Sequence, residues 1–528
     1  MTQNSSKPVG AIIKHLGHAA IYIRNSATSL VVDPWFSEAG AFLASWHQFP
    51  EPTGVDLDEV RAVDYVVLSH EHLDHFDIEF IKTINPNASI VIPSFGNKYL
   101  LDSLSVLPNE IIEVDYKERF KLGDELIAVP LTQTVPIQMD CTWIFEVNNI
   151  IVVNFNDMQP TGKDIDWVKS TYPHIDYLFH QFSGANWYPH VYGYDESEKV
   201  VRSDKRINNK FHNCLVNFES LGACWLVPSA GPPCFLDDDL FYLNFSAAST
   251  FPTMDVFYEH CERKGVKNVI LTIPGDVVLD DSNNQSVLSS APYANKRQYL
   301  EKYKRKRDPI IAKNIHQWSQ FNDDNLFERF KAYLEPLVEA SSFFRKEIGG
   351  KVLFDIDDST KFLVNFRSKK NSVKQWNGED KFFYRYVIPR PWLAAILGGH
   401  LRWEELFLSL RFKAFRDPDV HNQALQTFLY YADDEMYEVY ENYFIEERGK
   451  ETFTLEYEGC VYKVQKYCPH AGADLEKGEI VDGEIICPNH GWGFRISDGL
   501  CPAHNSKISS ELIATDSERV DIRDDTSS

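Results

Sequence analysis

Residues 63–77, VDYVVLSHEHLDHFD, place a dense group of metal-binding side chains directly after an apolar run. Three imidazoles and the carboxylate of Asp74 fall within six residues as ligand candidates: His70, His72, Asp74 and His75. The apolar run VDYVVL is typical of a buried β-strand, so these side chains should lie at a strand end. Imidazole and carboxylate groups are common ligands of zinc, iron and manganese. A chance polar loop rarely collects four such groups, so the stretch predicts a metal site in an α/β domain.

The residues around this motif also predict a layered α/β domain. Apolar runs such as AIIKHLGHAAIYI and SLVVDPW alternate with short helical segments, as in α/β layered folds. The motif resembles that of the metallo-β-lactamase superfamily. The resemblance implies an αββα fold, with the first two histidines on one metal and the Asp74–His75 pair on a second. His18 and Asp33 match common positions of that fold, and Asp33 is expected to orient a ligand histidine, as metal sites generally require.

The same resemblance predicts one further ligand and one missing ligand. Asp157 follows the strand-like run IIVVNF and fits the bridging carboxylate of the superfamily. Pro136, in QTVPIQMD, takes the place of the histidine that the superfamily usually carries before the strand leading to Asp157. A site with one protein ligand fewer favours a mononuclear iron with open coordination positions. His180 and His190 are candidates to supply the missing ligand, with a packing or loop role as the alternative.

Two loops near the end of the sequence each offer one thiolate and one imidazole. Cys468-Pro-His470 is followed, after sixteen residues, by Cys487-Pro-Asn-His490. This set suits a [2Fe–2S] cluster with two cysteines on one iron and two histidines on the other, and it resembles the Rieske ferredoxin signature. A structural zinc site would accept the same ligands. Ala473 stands where respiratory Rieske proteins carry a disulfide-forming cysteine, which implies the lower-potential kind that works with oxygenases or ferredoxin-like donors.

The patterning divides the chain into three predicted domains. Residues 1–310 are expected to form the α/β, metallo-β-lactamase-like catalytic domain, residues 311–429 an α+β middle block, and residues 430–528 a small all-β Rieske domain. Within the first domain, the polar and aromatic stretch 183–215 is predicted to be a long ordered loop.

Several stretches outside the ligand motifs resemble one particular family. They are VVDPWFSEAGAFLASWHQFPEP, DMQPTG, FSGAN and RWEELFLSLRFKAFRDPDVHN. Together with LSHEHLDHFD they resemble the CMP-N-acetylneuraminate hydroxylase family over roughly residues 10–425. That family joins a Rieske domain to a metallo-β-lactamase-like domain, which implies an oxygenase that hydroxylates the N-acetyl methyl group of a nucleotide-linked sialic acid. Its Rieske domain precedes the metal domain, whereas here it follows, so the resemblance implies the reaction class and not the substrate.

The composition excludes several classes of protein. The chain has 528 residues and a formal net charge of −24, which argues against a general nucleic-acid binder and against docking on an anionic membrane. No apolar run is long enough to span a bilayer and no signal peptide is evident, so a cytoplasmic location is expected. Most of the nine cysteines are scattered, and no disulfide framework is expected. Cys501 and the nearby His504 are predicted to be structural.

These features predict an iron-dependent oxygenase of the Rieske-type monooxygenase class. A Rieske cluster transfers single electrons, and a non-haem iron needs electrons one at a time to reduce dioxygen. We expect one or two catalytic irons, a ferredoxin or reductase as electron donor, and a small polar substrate that is hydroxylated or N-oxygenated. One alternative is a zinc or manganese hydrolase with a redox-sensing Rieske domain. Another is an electron-transfer protein whose second metal site is vestigial.

Overall fold

The computed structural model describes residues 10–95, 99–132, 140–184, 186–280, 291–430, 451–470, 473–488, 491–504 and 506–515. In chain order these residues form two stacked β-sheets with helices outside them, a mixed α+β block and a group of small β-sheets. The predicted fold class is confirmed. None of the helices in these ranges has the length and apolar character needed to cross a membrane.

The first sheet of the N-terminal domain contains seven strands: β1 (Ile12–Gly17), β2 (Ala20–Arg24), β3 (Ser29–Val32), β5 (Tyr65–Val67), β6 (Ser89–Pro93), β7 (Ile111–Val114) and β15 (Asp276–Leu279). Their order is β15-β1-β2-β3-β5-β6-β7. The pairs from β3 to β7 are parallel. Parallel strands bring their carboxyl ends to one edge of a sheet, where ligands commonly bind. Asp33 follows β3 and the histidine motif follows β5, so both lie at that edge.

The second sheet contains six strands: β8 (Phe120–Gly123), β9 (Leu126–Thr132), β10 (Cys141–Val147), β11 (Ile150–Asn154), β12 (Tyr177–Gln181) and β13 (Trp225–Ser229). They are arranged in the order β13-β12-β11-β10-β9-β8. Most residues of β10 and β12 are buried on both faces, which matches their nearly continuous apolar sequence. A separate two-stranded ribbon joins β4 (His47–Gln48) to β14 (Pro233–Cys234).

Helices cover the outer faces of both sheets: α1 (Leu57–Arg61), α2 (Ile78–Ile81), α3 (Tyr99–Leu104), α4 (Gly162–Thr171), α5 (Glu196–Leu221) and α6 (Met254–Arg263). The first three share an apolar cluster with the first sheet, and the last three share one with the second sheet. A third cluster lies between the sheets and contains Ile21, Trp143 and Phe145. The layers therefore run helix, sheet, sheet, helix.

Helix α5 corrects the loop predicted over residues 183–215. The side chain of Asp195 caps its first turn by accepting a hydrogen bond from the Glu198 backbone N–H, and Gly222, with φ at 64°, ends it. The buried face of the helix carries Asn213 and Asn217 beside apolar residues. These buried polar residues interrupt the apolar periodicity by which a helix is recognised in a sequence.

The middle block contains helices and one mixed sheet. The helices are α7 (Ala291–Ala294), α8 (Lys296–Ser319), α9 (Leu326–Ala340), α10 (Ser342–Ile348), α11 (Arg390–Leu397), α12 (Trp403–Leu408) and α13 (Gln423–Tyr430). The strands are β16 (Lys351–Asp355), β17 (Lys361–Asn365), β18 (Val373–Gln375), β19 (Tyr384–Val387) and β20 (Lys413–Arg416), in the order β18-β17-β16-β19-β20. The predicted domain boundary at residue 310 lies inside α8, and the three-domain division stays a prediction. The core of this block includes Trp35, Trp46 and Trp187 of the first domain, so the two are packed directly together.

The C-terminal part consists of short strands: β21 (Thr452–Tyr457), β22 (Cys460–Gln465), β23 (Glu479–Val481), β24 (Glu484–Ile486), β25 (Gly493–Arg495), β26 (Leu500–Cys501), β27 (Ser506–Lys507) and β28 (Ser510–Thr515). They form sheets in the orders β21-β22-β28, β23-β24-β25 and β26-β27. Their core includes Cys468, Cys487 and Cys501. Both predicted cluster cysteines therefore lie in the interior of this all-β unit, and Cys501 is buried there, as expected of a structural residue.

Candidate metal centre and Rieske site

Asp33 anchors the histidine motif from the neighbouring strand. Its carboxylate is fully buried and accepts hydrogen bonds from the Ser69 backbone N–H at 2.8 Å and the Ser69 hydroxyl at 2.6 Å. His75 Nδ1 lies 2.9 Å from Asp33 Oδ2. An imidazole that donates from Nδ1 presents its other nitrogen, Nε2, to a metal. The structure thus places Asp33 where the sequence predicted it, beside a ligand histidine.

Three donor residues form a first group on one side of the motif. His70 Nε2 and His72 Nδ1 lie 2.8 Å apart, and Asp140 Oδ1 lies 3.5 Å from His70 Nε2. Donor atoms of these three residues all lie within 4.8 Å of one another. Two imidazole nitrogens and one carboxylate oxygen at this separation could share one metal ion.

A second group forms on the other side, and Asp157 lies beside it. His18 Nε2 is 2.9 Å from Asp74 Oδ2, and His75 Nε2 is 3.8 Å from the same oxygen. Asp157 Oδ2 lies 3.6 Å from His75 Nε2. Asp157 also groups with His70 and His75, one residue from each donor group, so it lies between the two groups. The structure therefore brings together all five residues predicted for this site.

Asp140 is the ligand candidate that the sequence reasoning missed. Pro136 lies outside the described residues, but Asp140, which precedes β10, supplies a third donor beside His70 and His72. A carboxylate therefore lies beside His70 and His72, where the sequence predicted a missing ligand. The available signal was an acidic residue next to a long apolar strand, MDCTWIF, since a buried carboxylate needs a partner.

The two histidines proposed as substitutes make other contacts. His180 Nδ1 bonds the Gln181 carbonyl at 2.8 Å, and His180 Nε2 lies 3.0 Å from Asn217 Nδ2. His190 Nε2 lies 2.9 Å from the Thr250 hydroxyl. Neither belongs to a candidate metal group among the described residues. Their contacts fit the alternative of packing residues.

Burial and mutual repulsion shape the protonation of the site. Burial lowers the pKa of His70 well below its ordinary value, and neighbouring histidines add to that effect. Burial also raises the pKa of Asp140 to about 7. For His75, burial opposes protonation, but the carboxylates of Asp157 and Asp74 outweigh it and raise the pKa. Without a metal, protons balance the negative charge of the carboxylates. A bound metal would displace those protons.

Several buried polar atoms of this site lack a protein partner among the described residues. His75 Nε2, His18 Nδ1 and Asp140 Oδ2 are buried and have no hydrogen-bond partner there. Such atoms are costly in a folded protein unless a ligand satisfies them. Imidazole and carboxylate donors suit iron, zinc and manganese. Cys141 lies beside Asp140, but its thiol bonds the Thr142 carbonyl at 3.2 Å.

The middle block closes one side of this centre. Glu404 Oε1, on α12, lies 2.8 Å from His72 Nε2. Burial opposes protonation of His72, but the Glu404 carboxylate outweighs it and raises the pKa of His72 to about 10. Arg402 Nη1 lies 3.7 Å from Glu71 Oε1, and its guanidinium stacks 4.2 Å from the Tyr99 ring centroid. These contacts hold the start of α12 against the histidine motif.

The C-terminal part presents the predicted cluster ligands from two tight loops. The Cys468 N–H donates to the Ala473 carbonyl at 2.9 Å, and the Cys487 N–H donates to the Trp492 carbonyl at 2.8 Å. Both cysteines are buried. The ring of His470 stacks on Trp492 with centroids 4.2 Å apart, and Trp492 stacks in turn on His504 at 4.0 Å. His490 lies outside the described residues. Two buried thiols and a stacked imidazole fit the protein side of a [2Fe–2S] cluster.

Family models match three parts of the chain. A Beta-lactamase superfamily domain matches residues 28–150, an Rv3818-like, SCP2-like domain matches residues 326–446, and a Rieske [2Fe-2S] domain matches residues 431–509. The predicted combination of a metallo-β-lactamase-like domain with a C-terminal Rieske domain is therefore confirmed. The chain carries a Rieske [2Fe–2S] domain, and the donor groups described above form a separate non-haem metal site, in agreement with the two predicted cofactors.

Known proteins resemble the chain to different extents. The 4-amino-L-phenylalanyl-[CmlP-peptidyl-carrier-protein] 3-hydroxylase of Streptomyces venezuelae is 29% identical over 131 residues, which cover 22% of this chain and 23% of the relative. The solved structure of CmlA, a diiron β-hydroxylase from Streptomyces venezuelae, has a TM-score of 0.33 and 16% identity, and covers 51% of this chain and 53% of that one.

A third similarity extends along nearly the whole chain. The Rieske 2Fe-2S iron-sulfur protein of Mycolicibacterium smegmatis is 30% identical over 518 residues, which cover 93% of this chain and 97% of the relative. Because the match spans the metallo-β-lactamase-like, SCP2-like and Rieske parts together, the chain belongs to the family of this Rieske 2Fe-2S iron-sulfur protein.

Proposed function

We propose that the protein is an iron-dependent oxygenase in which the Rieske domain supplies electrons to the histidine–carboxylate centre of the N-terminal domain. One observation carries the proposal: a Rieske domain and a buried nitrogen–oxygen metal site occur on the same chain. A Rieske cluster transfers single electrons and serves no purpose in simple hydrolysis. Iron held in the second site would supply dioxygen binding and one-electron chemistry.

The residues of the chain divide between the two sites. Cys468, His470, Cys487 and His490 are proposed to hold the cluster. Another set is proposed to hold the catalytic metal: His18, His70, His72, Asp74, His75, Asp140 and Asp157. Asp33 and Glu404 orient two of the ligand histidines by accepting their N–H groups. The near-complete burial of the centre keeps water away from the reacting atoms, which strengthens electrostatic interactions there.

The donor arrangement supports two metal positions. The sequence favoured one iron, because Pro136 stood in place of a ligand. Asp140 offers a carboxylate in place of the missing ligand, so that argument for a single iron no longer holds. The groups His70–His72–Asp140 and His18–Asp74–His75 share no residue. We infer that the two groups would each hold one iron, with Asp157 available as a ligand to both. The similarity to a protein named as a 3-hydroxylase supports hydroxylation, hence a monooxygenase, although the substrate of this chain is left open beyond a small polar molecule.

The remaining assignments concern partners and location. A ferredoxin or a reductase is the proposed electron donor, because a Rieske cluster accepts one electron at a time. The nine cysteines all lie in the described ranges and none forms a disulfide. Proteins without disulfides are typical of reducing compartments, which supports the cytoplasm.

A hydrolase with a redox-sensing Rieske domain is the second candidate, favoured by the match to the Beta-lactamase superfamily domain. Metal analysis after anaerobic purification separates the candidates. The oxygenase should contain two irons in the cluster and further iron in the histidine–carboxylate site. Two irons with zinc in that site would support the hydrolase, and two irons with no other metal would support a pure electron carrier. Oxidation of a substrate should also require both a reductant and dioxygen.

A further inference from the structure

Helix α5 contacts the second cluster loop through Asn209 and is linked to the proposed metal ligand Asp157 through Lys210. Gly491 follows His490 in the second cluster loop and packs against Asn209 of α5, because a Cβ at Gly491 would lie only 1.7 Å from Asn209 Nδ2. Cys487 and Pro488 of the same loop line a cleft of about 400 Å³ together with Asn209. The backbone of the cluster loop therefore rests directly on the helix.

The next residue of the helix reaches the metal centre. Lys210 Nζ donates a hydrogen bond to Gln181 Oε1, and Gln181 Nε2 donates to Asp157 Oδ1 at 2.6 Å. The other oxygen of Asp157, Oδ2, lies 3.6 Å from His75 Nε2. A continuous series of covalent and hydrogen bonds thus runs from α5 to a proposed metal ligand.

A second series of hydrogen bonds connects the helix to Asp157. Asn213 Nδ2, one turn further along α5, donates to Gln159 Oε1 at 2.8 Å. Gln159 Nε2 donates to the Asp157 carbonyl at 3.3 Å. Asn213, Gln159 and Gln181 are all buried. Burying a polar side chain costs free energy unless it is hydrogen-bonded. Here the hydrogen bonds of these side chains lead to Asp157.

The Rieske domain is also held against the neighbouring helix α4. Lys163 Nζ lies 2.7 Å from Glu451 Oε1 and 5.0 Å from the Tyr467 ring centroid. A Cβ at Gly162 would lie 2.8 Å from Asp474 Cβ. The Rieske domain therefore packs closely against both α4 and α5. It can do so because Gly162 and Gly491 have no side chain.

We propose that α5 is the electron route between the Rieske cluster and the metal centre of the same chain, through Asn209 at the docking contact and through Lys210 and Gln181 to Asp157. Electron tunnelling weakens steeply with separation and is favoured by bonded contacts over gaps. One electron leaves the reduced cluster, which is oxidised, and arrives at the metal centre, which is reduced; no bond along the route forms or breaks. A ferredoxin-type donor reduces the cluster again, and dioxygen is the final oxidant. The route rests on the proposed function.

The first test measures how close the two sites are, without turnover. The full-length protein is loaded at the second site with paramagnetic Co²⁺ or diamagnetic Zn²⁺, and the spin relaxation of the dithionite-reduced cluster is recorded by electron paramagnetic resonance. Co²⁺ should accelerate relaxation in the unmodified protein. Asn209→Phe, which forces the Gly491 loop away, should lose that acceleration. Val201→Phe places similar bulk on the same helix at a residue that is 69% exposed and outside the cleft that Asn209 lines, and it should keep it.

The second test measures the rate at which the reduced, iron-loaded protein loses its cluster electron to dioxygen, from the visible absorbance of the cluster. The His72→Ala variant gives the rate of direct oxidation by solvent dioxygen. The cluster of the Asn209→Phe variant should lose its electron at that slower rate. Lys210→Met, which keeps the chain length but loses the bond to Gln181, should lie between it and the unmodified protein at unchanged cluster absorbance and metal content.

The outcomes distinguish the route from the function on which it rests. If the unmodified protein and His72→Ala lose the cluster electron at the same rate, the cluster does not feed the metal centre and the proposed function fails. If those two differ, while Asn209→Phe and Lys210→Met both behave as the unmodified protein, the function stands and the route through α5 is overturned.

Discussion

Glu404 Oε1 lies 2.8 Å from His72 Nε2, and the two residues are 332 positions apart in the sequence. Because the carboxylate accepts the N–H at Nε2, the imidazole presents Nδ1 to the metal centre, where it lies 2.8 Å from His70 Nε2. The SCP2-like middle block thus contributes a residue to the orientation of a ligand in the metallo-β-lactamase-like domain. Partners of this kind fix both the tautomer and the ring orientation of a metal-binding histidine.

Removing the Glu404 carboxylate should weaken metal binding. We expect Glu404→Ala to lower the affinity of the second site for Fe²⁺ or Co²⁺ by about 10–100-fold, the range found for lost outer partners of metal ligands. Glu404→Gln keeps an acceptor oxygen without the charge and should fall between Ala and the unmodified protein. The measurement is anaerobic titration, with Co²⁺ followed by its visible bands.

The matched control is Glu379→Gln in the same middle block, where the carboxylate is exposed. Its metal affinity should equal that of the unmodified protein, and the Rieske absorbance should be the same in all variants. Unchanged affinity in Glu404→Ala would show that His72 is held in place by the loop alone.

Each donor group should be separable by mutation. Asp140→Ala should lose the metal held with His70 and His72, and Asp74→Ala should lose the metal held with His18 and His75, because each removes a carboxylate from one group only. Metal counts per chain and the Rieske spectrum are measured on both variants. The cluster should persist in each. Loss of all second-site metal in both variants would instead indicate a single shared metal position.

The metal motif could be predicted from the sequence because its ligands are contiguous. His70, His72, Asp74 and His75 follow one strand, so local spacing alone gathers them. Asp140 and Glu404 come from distant elements, and only the packing of β10 and α12 brings them to the motif. A lone acidic residue carries no local pattern that distinguishes a ligand from a surface charge.

The helices and strands could also be predicted where their sequence pattern is local. Strands such as β10 are mostly apolar, and α9 shows regular apolar spacing, so their types follow from the sequence pattern. Helix α5 was predicted as a loop because its buried face carries the amides of Asn213 and Asn217. Those amides donate to Gln159 and to His180, and these partners come from other elements of the fold.

Replacement of a cluster histidine should change the cluster and not the metal centre. We expect His470→Cys to shift the absorption and electron paramagnetic resonance of the reduced protein toward those of an all-thiolate cluster, or to lose the cluster, because thiolate ligands lower the reduction potential. His490→Ala should lose the Rieske signal. Second-site metal content should be unchanged in both. A colourless unmodified protein that holds only zinc after anaerobic purification would contradict the cluster assignment itself.

Trp143 links the core between the sheets to the metal motif. Its ring is fully buried, and Nε1 donates to the Leu68 carbonyl at 3.0 Å, one residue before Ser69. Trp143→Phe should lower the free energy of unfolding by about 1–3 kcal/mol, because the buried carbonyl loses its partner. Urea denaturation followed by circular dichroism measures the change.

The control for that variant is Trp376→Phe, which also loses an indole hydrogen bond, to the Asp380 carbonyl at 3.0 Å, but at a half-buried position. Water can satisfy the carbonyl there, so the loss should be about 1 kcal/mol or less. Equal losses in the two variants would show that the Trp143 bond contributes nothing specific to the core.

His190 should make the protein sensitive to acid. The ring is buried, stacks on Phe251 with centroids 5.6 Å apart and lies 2.9 Å from the Thr250 hydroxyl through Nε2. Burial lowers the pKa of His190 to about 3, and the positive charges of Arg206 and Lys199 add to that effect. In the unfolded chain a histidine binds a proton below its ordinary pKa of about 6.5.

Between those two pKa values the unfolded state therefore holds more protons than the folded state, and stability must fall as the pH falls. The contribution is fully present above pH 6.5 or so and is lost at up to about 1.4 kcal/mol per pH unit below it.

His190→Gln keeps a hydrogen-bonding side chain without a titrating group, so it should lose about 2 kcal/mol less stability than the unmodified protein between pH 7 and pH 5. Urea denaturation at both pH values gives the comparison, with His174→Gln, at a side chain that is 68% exposed, as the control. Parallel pH dependences for His190→Gln and the unmodified protein would mean that His190 is protonated in the folded state at pH 5, and that its contacts with Thr250 and Phe251 do not exclude the charge.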